Sequence, residues 1–438
     1  MKASKTAQFL ASVITVIFVL LPFHAVFTTW LGANLGHIDL WRIWKELLMV
    51  PLTLGALWLT YSDKQLKKWF LSSLVVRLVL LYATLHLVLG IYALGSSRVT
   101  GSALIYSLLI NLRFLIFFLD CLIVASQVSW LGKNWQKYIL WPAIVVIVFS
   151  LLQQFVLPAN FLTHFGYGPK TIPAYQTVDQ KPQYVRLQSS LRGPNPLGAY
   201  LVLVITALSA VMLNRKKKLW WSLLVLSSLI VLFFTYSRSA WLGAAIATGL
   251  LGYWLLKKQR SRRIILSTAA VVIVLLGVGL LIWQKNSVVD NTLFHTSQTS
   301  RSPESSNAVR TQAMLVGARS VIRQPLGGGP GTAGPASFRN NHPPRIAENY
   351  FIQIGQEVGF LGLAIFIAIN LIIAKLLWQQ RDQLLVKILL ASLVGLTLVN
   401  LMSHAWADDT LSYIWWGLAG IALASSGIMN KQRKHQHV

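Results

Sequence analysis

An all-α bundle that crosses a membrane many times is the fold class this sequence predicts, and three observations predict it. Apolar side chains make up 55% of the 438 residues and charged ones only 12%, a balance far outside that of soluble domains. The apolar residues come in runs long enough for a helix to cross hydrocarbon. Basic residues crowd into alternate connections between those runs, as the charge bias of cytoplasmic loops requires.

In chain order the runs predict about twelve spans, near 8–30, 44–61, 69–94, 102–127, 137–157, 196–213, 219–236, 239–256, 264–284, 349–374, 384–404 and 410–429. The apolar pattern is weakest in the second and the eighth. Met1-Lys2-Ala3-Ser4-Lys5 before the first run resembles the start of a signal peptide. The run is long and lacks a clear small-x-small cleavage site, so an uncleaved first span is expected. Periodicity gives no repeat of solenoid or propeller length, and residues 1–438 read as one transmembrane domain. Cys121, the only cysteine, lies inside the fourth span, which rules out an internal disulfide and a thiolate metal cluster.

Orientation follows from Lys64/Lys67/Lys68, Lys133/Lys137, the run Arg215 to Lys218, the run Lys257 to Arg263 and Arg381/Lys387, which share one side with both basic termini. Both ends are therefore expected in the cytoplasm, and the connections 158–195 and 285–348 on the extracytoplasmic face. A net charge of +27 raises the question of nucleic acid, but most of it sits in cytoplasmic turns, where contact with anionic membrane lipids accounts for it. No nucleic-acid partner is expected.

The connection at 285–348 is long for a compact protein, and long loops tend to carry function. It divides into a Ser/Thr-rich stretch from Ser297 to Ser306, an amphipathic helix over about Ala308 to Arg323, the turn Gly327-Gly328-Gly329-Pro330-Gly331 and a polar run through His342-Pro343-Pro344. On that helix Met314, Leu315, Ala318 and Val321 are expected to share a buried face. Pro196 sits where the sixth span begins, a favoured place because its missing N–H needs no partner there.

Outward arginines are the first candidates for chemistry: Arg186, Arg192, Arg238, Arg310, Arg319, Arg323, Arg339 and Arg345. Guanidinium groups bind phosphate oxygens bidentately and keep their charge, so a cluster of them suits a diphosphate, although a solvated loop or a lipid headgroup also accommodates such residues. Of these, Arg319, Arg323 and Arg339 fit that second role better. Backbone N–H groups of Gly329 and Gly331 can face an anion, or the turn can simply reverse the chain. It lacks the lysine and the spacing of a nucleotide loop. Glu348, where the chain returns into the membrane, suits either a helix dipole or a general base, while Glu357 reads as a structural acid. His404, Asp408 and Asp409 read as loop charge, without metal-ligand spacing. Arg77, Arg113 and Asp120 lie within spans and need protein partners, either paired across spans three and four or as a coupling site.

Several of these segments resemble one family. Arg186-x-x-Ser189-x-x-x-Gly193-Pro194-Asn195 is similar to the R-x-x-G-x-x-x-N-P-N segment of the O-antigen ligase and polymerase superfamily, and Thr235 to Gly243 to its T-x-S-R-S/G-x-W/L stretch. Arg310 followed by Pro325 to Gly331 resembles its R…P-L-x-G-x-G-P-G loop, and Glu348-Asn349-Tyr350 through Glu357-x-Gly359-x-x-Gly362 its H/E-N-x-x-x-Q…E-x-G-x-x-G segment. The resemblance, over about residues 180–365, implies a membrane-embedded inverting glycosyltransferase of the C type. Such an enzyme needs no metal or cofactor and acts at the outer face of the bacterial cytoplasmic membrane. Its donor is an undecaprenyl-diphosphate-linked glycan and its acceptor a hydroxyl on a glycan, lipid or protein. It implies Arg186, Arg238 and Arg310 on the diphosphate. Glu348 is the candidate base, and Arg192, Asn195, Gly329, Gly331, His342 and Asn349 are the candidate substrate-binding residues. Three departures stand out: Ser189 replaces a glycine, Arg192 adds a charge, and Glu348 stands where many ligases have histidine. Ligase, polysaccharide polymerase and protein O-oligosaccharyltransferase share these motifs. A secondary transporter of about twelve spans is the reading from another class, but no half-to-half repeat supports it.

Overall fold

The computed structural model describes residues 4–178, 181–215, 218–256 and 306–425. The expected span at 264–284, the basic run from Lys257 to Arg263, the Ser/Thr-rich stretch before Ser306 and the chain ends lie outside them. Helix α1 (Lys5–Leu20) passes through a tight turn at Leu21–Phe23 into α2 (His24–Leu35), followed by α3 (Ile38–Arg42), α4 (Trp44–Ser62), α5 (Lys64–Ser72), α6 (Leu74–Gly95), α7 (Gly101–Gln127), α8 (Ser129–Lys133) and α9 (Trp135–Phe155). Strands β1 (Gln176–Val178) and β2 (Lys181–Arg186) form an antiparallel hairpin. After it come α10 (Pro194–Asn214), α11 (Lys218–Phe234), α12 (Arg238–Leu255), α13 (Ser306–Arg323), α14 (Tyr350–Trp378), α15 (Leu384–Asn400) and α16 (Asp409–Ser425).

Among the described residues six segments are long and apolar enough to cross a membrane: Lys5–Leu35, Leu74–Gly95, Gly101–Gln127, Trp135–Phe155, Pro194–Asn214 and Tyr350–Trp378. Helices α11 and α15 are apolar but shorter. The second expected span is helical, yet it carries Lys45 and Glu46 in its first turn and Pro51 inside. Apolar side chains cover the bundle's exterior, with Ile91 70% exposed and Leu371 64%, as suits a surface facing lipid.

The core is built around α7. Phe114, Phe117 and Phe118 pack on Tyr413 and Trp416 of α16, all fully buried, with the Phe114 and Trp416 ring centroids 5.1 Å apart. Helix α12 is pinned to α15 by a glycine crossing: a Cβ on Gly243 would lie 2.8 Å from the Gly395 carbonyl oxygen. That contact fixes the start of α12, which carries Arg238.

Charges inside the bundle find partners the sequence did not indicate. Arg113 pairs with Glu46 of α4 at 2.9 Å and donates to the Ala407 carbonyl, while Asp120 accepts from Thr53 of α4 at 2.7 Å. Arg77 is exposed and donates to the Ser72 carbonyl, so the expected pairing across spans three and four does not form. The face of α13 differs in part: Val321 is buried as expected, and Leu315 is not. Gly317 and Val321 meet α14 at Ile352 and Gly355, and Ser320 accepts from Gln356 at 2.8 Å. Leu315 is 49% exposed instead, because the small residues of α13 permit the closer approach to α14.

Candidate active site

Three arginines from distant parts of the chain line one polar cleft of about 50 Å³: Arg186, Arg238 and Arg310, together with Asn195 and Tyr236. Arg186 ends β2, where it pairs with Gln176. Its Nε donates to the Thr235 carbonyl at 3.0 Å and its Nη2 to Asn195 Oδ1 at 2.6 Å. Asn195 lies in the first turn of α10, and Arg238 opens α12. The corner between α11 and α12, just before Arg238, is turned by Tyr236, whose φ of +51° is left-handed.

Arg310, on the first half of α13, brings its Nη2 to 3.6 Å from Glu348 Oε2. Glu348 also has a left-handed φ, +53°, a conformation that non-glycine residues adopt at a cost. The next residue starts α14: Asn349 Oδ1 accepts from the Phe351 and Ile352 N–H groups, and its Nδ2 donates to the Leu401 carbonyl at 2.9 Å. Asn349, expected on substrate, thus caps the helix and ties it to the end of α15. Ser189, the departure from glycine, has a φ of +53°, which gives the physical reason for glycine at that position of the motif.

Other expected site residues lie elsewhere. The glycine turn docks into the break in α14 at Val358 and Gly359. Its Gly328 and Gly329 N–H groups donate to the Gln356 and Glu357 carbonyls, and Gly331 N–H to Glu357 Oε1, each at 2.8 Å. The turn does hold a carboxyl group, but it is the protein's own. Neither Gly329 nor Gly331 has its N–H free for substrate. His342 is exposed, and its Nε2 donates to the Arg98 carbonyl at 3.1 Å, outside the cleft lining. Arg192 lines a different cavity.

The connection after α15 holds residues the sequence undervalued. Met402 and Ser403 line the cleft, and the adjacent His404 is half-buried, its Nε2 shielded from solvent and without a hydrogen bond among the described residues. Burial, and then the Arg310 charge, push this imidazole down to about 4, which keeps it neutral. Asp408 and Asp409 are buried and not loop charge: Asp409 Oδ2 lies 3.0 Å from Lys45 Nζ and 3.2 Å from His24 Nε2. Burial and the neighbouring Asp409 push the Asp408 carboxyl up to about 6. A cavity of about 270 Å³, uncharged apart from Arg186, adjoins the cleft through Arg186 and Tyr236, with Gln153, Gln154, Gln183 and Tyr175 in its wall. Fixed guanidinium groups in the cleft can take anionic oxygens, and the adjoining amides and phenols can hold hydroxyls.

The fold and cleft define an all-α membrane protein with a built cationic site at one end of its bundle. The family model described as O-antigen ligase matches residues 223–367, which include Arg238, Arg310, the glycine turn and Glu348. Over that segment the chain is similar to O-antigen ligases, as its motifs indicated. No curated protein matches the chain.

Proposed function

We propose that this protein transfers a glycan from an undecaprenyl-diphosphate carrier to an acceptor hydroxyl at the extracytoplasmic face of the bacterial cytoplasmic membrane. The observation that carries this reading is the convergence of Arg186, Arg238 and Arg310 beside Glu348. The three guanidinium groups engage the diphosphate and neutralise it as it leaves, which is the main demand of a reaction whose leaving group is already good. Sugars of the donor then extend toward the adjoining cavity of Gln153, Gln154 and Gln183.

In the step itself the acceptor oxygen forms a bond to the sugar C1 as the bond from C1 to the diphosphate oxygen breaks, with inversion. Glu348 takes the acceptor proton, and the polyprenyl diphosphate departs. The ion pair between Glu348 and Arg310 is long and half-exposed, so a diphosphate claiming Arg310 frees the carboxylate for this role. His404, half-buried, neutral and next to Ser403 of the cleft, is the second group able to accept a proton. Ligase, polymerase and protein-glycosylating variants differ only in what supplies the acceptor hydroxyl.

Purified protein in lipid should transfer glycan from a polyprenyl-diphosphate donor in the presence of a chelator. Loss of transfer in chelator, restored by a divalent ion, contradicts the metal-independent mechanism. Reporter tags at both termini should read cytoplasm and one near Ser305 the outer face. A cytoplasmic reading at Ser305 removes the cleft from the side where the donor glycan lies.

A further inference from the structure

A cavity of about 560 Å³ lies at the junction of α2, α4, α7 and the connections that carry Arg192 and Arg339. Its floor is a buried ion network: Lys45, only 2% exposed, bridges Glu46 and Asp409 at 3.2 and 3.0 Å, and Arg113 pairs with Glu46 at 2.9 Å. At its rim Asp39 pairs with Arg42 at 3.0 Å. All three carboxylates in the wall are therefore matched by cations.

Two guanidinium groups in the same wall are not matched. Arg192 opens onto the cavity with no hydrogen bond or ion pair to any described residue. Arg339 stacks on the Tyr106 ring, 4.4 Å from its centroid, and its guanidinium likewise makes no hydrogen bond or ion pair among the described residues. Tyr106, Asp408 and Asp409 lie within electrostatic reach of Arg192, but none pairs with it or accepts a hydrogen bond from it among the described residues. A cavity whose acids are satisfied and whose remaining donors are guanidinium groups is suited to an anion, not a cation.

The cavity and the active-site cleft have no lining residue in common, but the same three connections supply both. The segment after β2 sends Arg186 and Asn195 to the cleft and Arg192 to the cavity; the large connection sends Arg310 to one and Arg339 to the other; the segment after α15 sends Ser403 to one and Asp409 to the other. We infer that this cavity is a second anion site, for a phosphate or carboxylate group borne by a saccharide or a lipid headgroup. Resting on the glycosyl-transfer reading, the group belongs to the acceptor, held across these connections from the donor diphosphate.

The test measures binding and needs no transfer. The full chain is placed in phosphatidylcholine nanodiscs with Arg186→Gln to weaken the cleft, and binding of glucose 6-phosphate is compared with glucose by saturation-transfer NMR. Glucose 6-phosphate should bind and glucose should not compete. Adding Arg192→Gln or Arg339→Gln should each weaken binding roughly tenfold, the scale of a charge-assisted hydrogen bond. Arg339 is exposed, so its variant reports even where Arg192→Gln disturbs folding. Competition from added phosphatidylglycerol assigns the anion to a lipid headgroup, and its absence assigns it to a saccharide; both support the site. Sugar phosphate that binds no better than glucose, or binding indifferent to both added variants, overturns it. Failure here leaves glycosyl transfer standing, and loss of transfer leaves this binding to be measured.

Discussion

Glu348 and Glu357 stand on either side of the first turns of α14, and the contrast between them separates architecture from chemistry. Glu357 is fully buried and saturated: Oε1 accepts from Ser107 and Gly331 at 2.8 Å, and Oε2 from Asn111 at 2.6 Å. Its job is to hold the glycine turn against α7. Glu348 is about one-third exposed, held in a left-handed turn, with a single loose contact to Arg310 at 3.6 Å. A carboxylate whose lone pairs are all occupied cannot take a proton without dismantling its surroundings, whereas an undersatisfied one can.

The comparison breaks most directly at Glu348. On this reading Glu348→Gln lowers turnover about 10²- to 10⁴-fold, the usual range for removing a general base, while donor binding and thermal unfolding stay near wild type. Near-normal turnover in a folded Glu348→Gln protein moves the base to His404, whose alanine variant then carries the loss. The arginines come next. Alanine at Arg186, Arg238 or Arg310 should cut turnover by about 10²- to 10³-fold, as when one preorganised donor to developing charge is removed. Lysine at the same positions should restore only part, since it supplies charge without the bidentate fork. Full rescue by lysine at all three positions argues that the cleft supplies bulk positive potential instead of directed hydrogen bonds.

How much of this was legible in the sequence follows the same division. In so apolar a chain each outward charge is conspicuous, so Arg186, Arg238, Arg310 and Glu348 could be singled out, and the helix over Ser306–Arg323 followed from its pattern. What the sequence does not display is saturation. Ser107 and Asn111 lie 250 and 246 residues from Glu357, and nothing local says that they consume it. For the same reason the glycine N–H groups read as available, and Asp409 read as loop charge although Lys45 waits in α4. His404 was legible as a residue but not as a half-buried neutral one, since both burial and Arg310 come from tertiary structure. The short hairpin ending at Arg186 was also missed, for its polar, Pro-containing strand lacks alternation.

Removing Glu357 tests the structural half. Glu357→Ala leaves three buried donors without an acceptor, at about 1–3 kcal/mol for each group, so a large fall in unfolding temperature and proteolytic opening of the glycine turn are expected. Glu357→Gln should recover most of the loss, because its one oxygen serves Ser107 and Gly331 while the Asn111 amide turns to offer its own. Equal damage from both variants indicates that the charge itself, not the hydrogen-bond count, holds the turn.

The smallest effect concerns the left-handed turn at Glu348. A side chain at φ of +53° costs about 1 kcal/mol that glycine does not incur, partly offset by glycine's greater freedom when unfolded. The exposed ion pair to Arg310 adds only a few tenths of a kcal/mol, as surface pairs generally do. Glu348→Gly should therefore unfold slightly above wild type while losing turnover as Glu348→Gln does, a gain in stability obtained by removing a catalytic group. Glu348→Ala supplies the control, because it loses the same carboxylate but keeps the Cβ that the conformation opposes. The difference in unfolding temperature between the glycine and alanine variants reads the strain net of glycine's greater freedom when unfolded. If glycine unfolds no higher than alanine, the strain at Glu348 does not exceed that entropy, and its exposure, not its backbone, is what distinguishes it from Glu357.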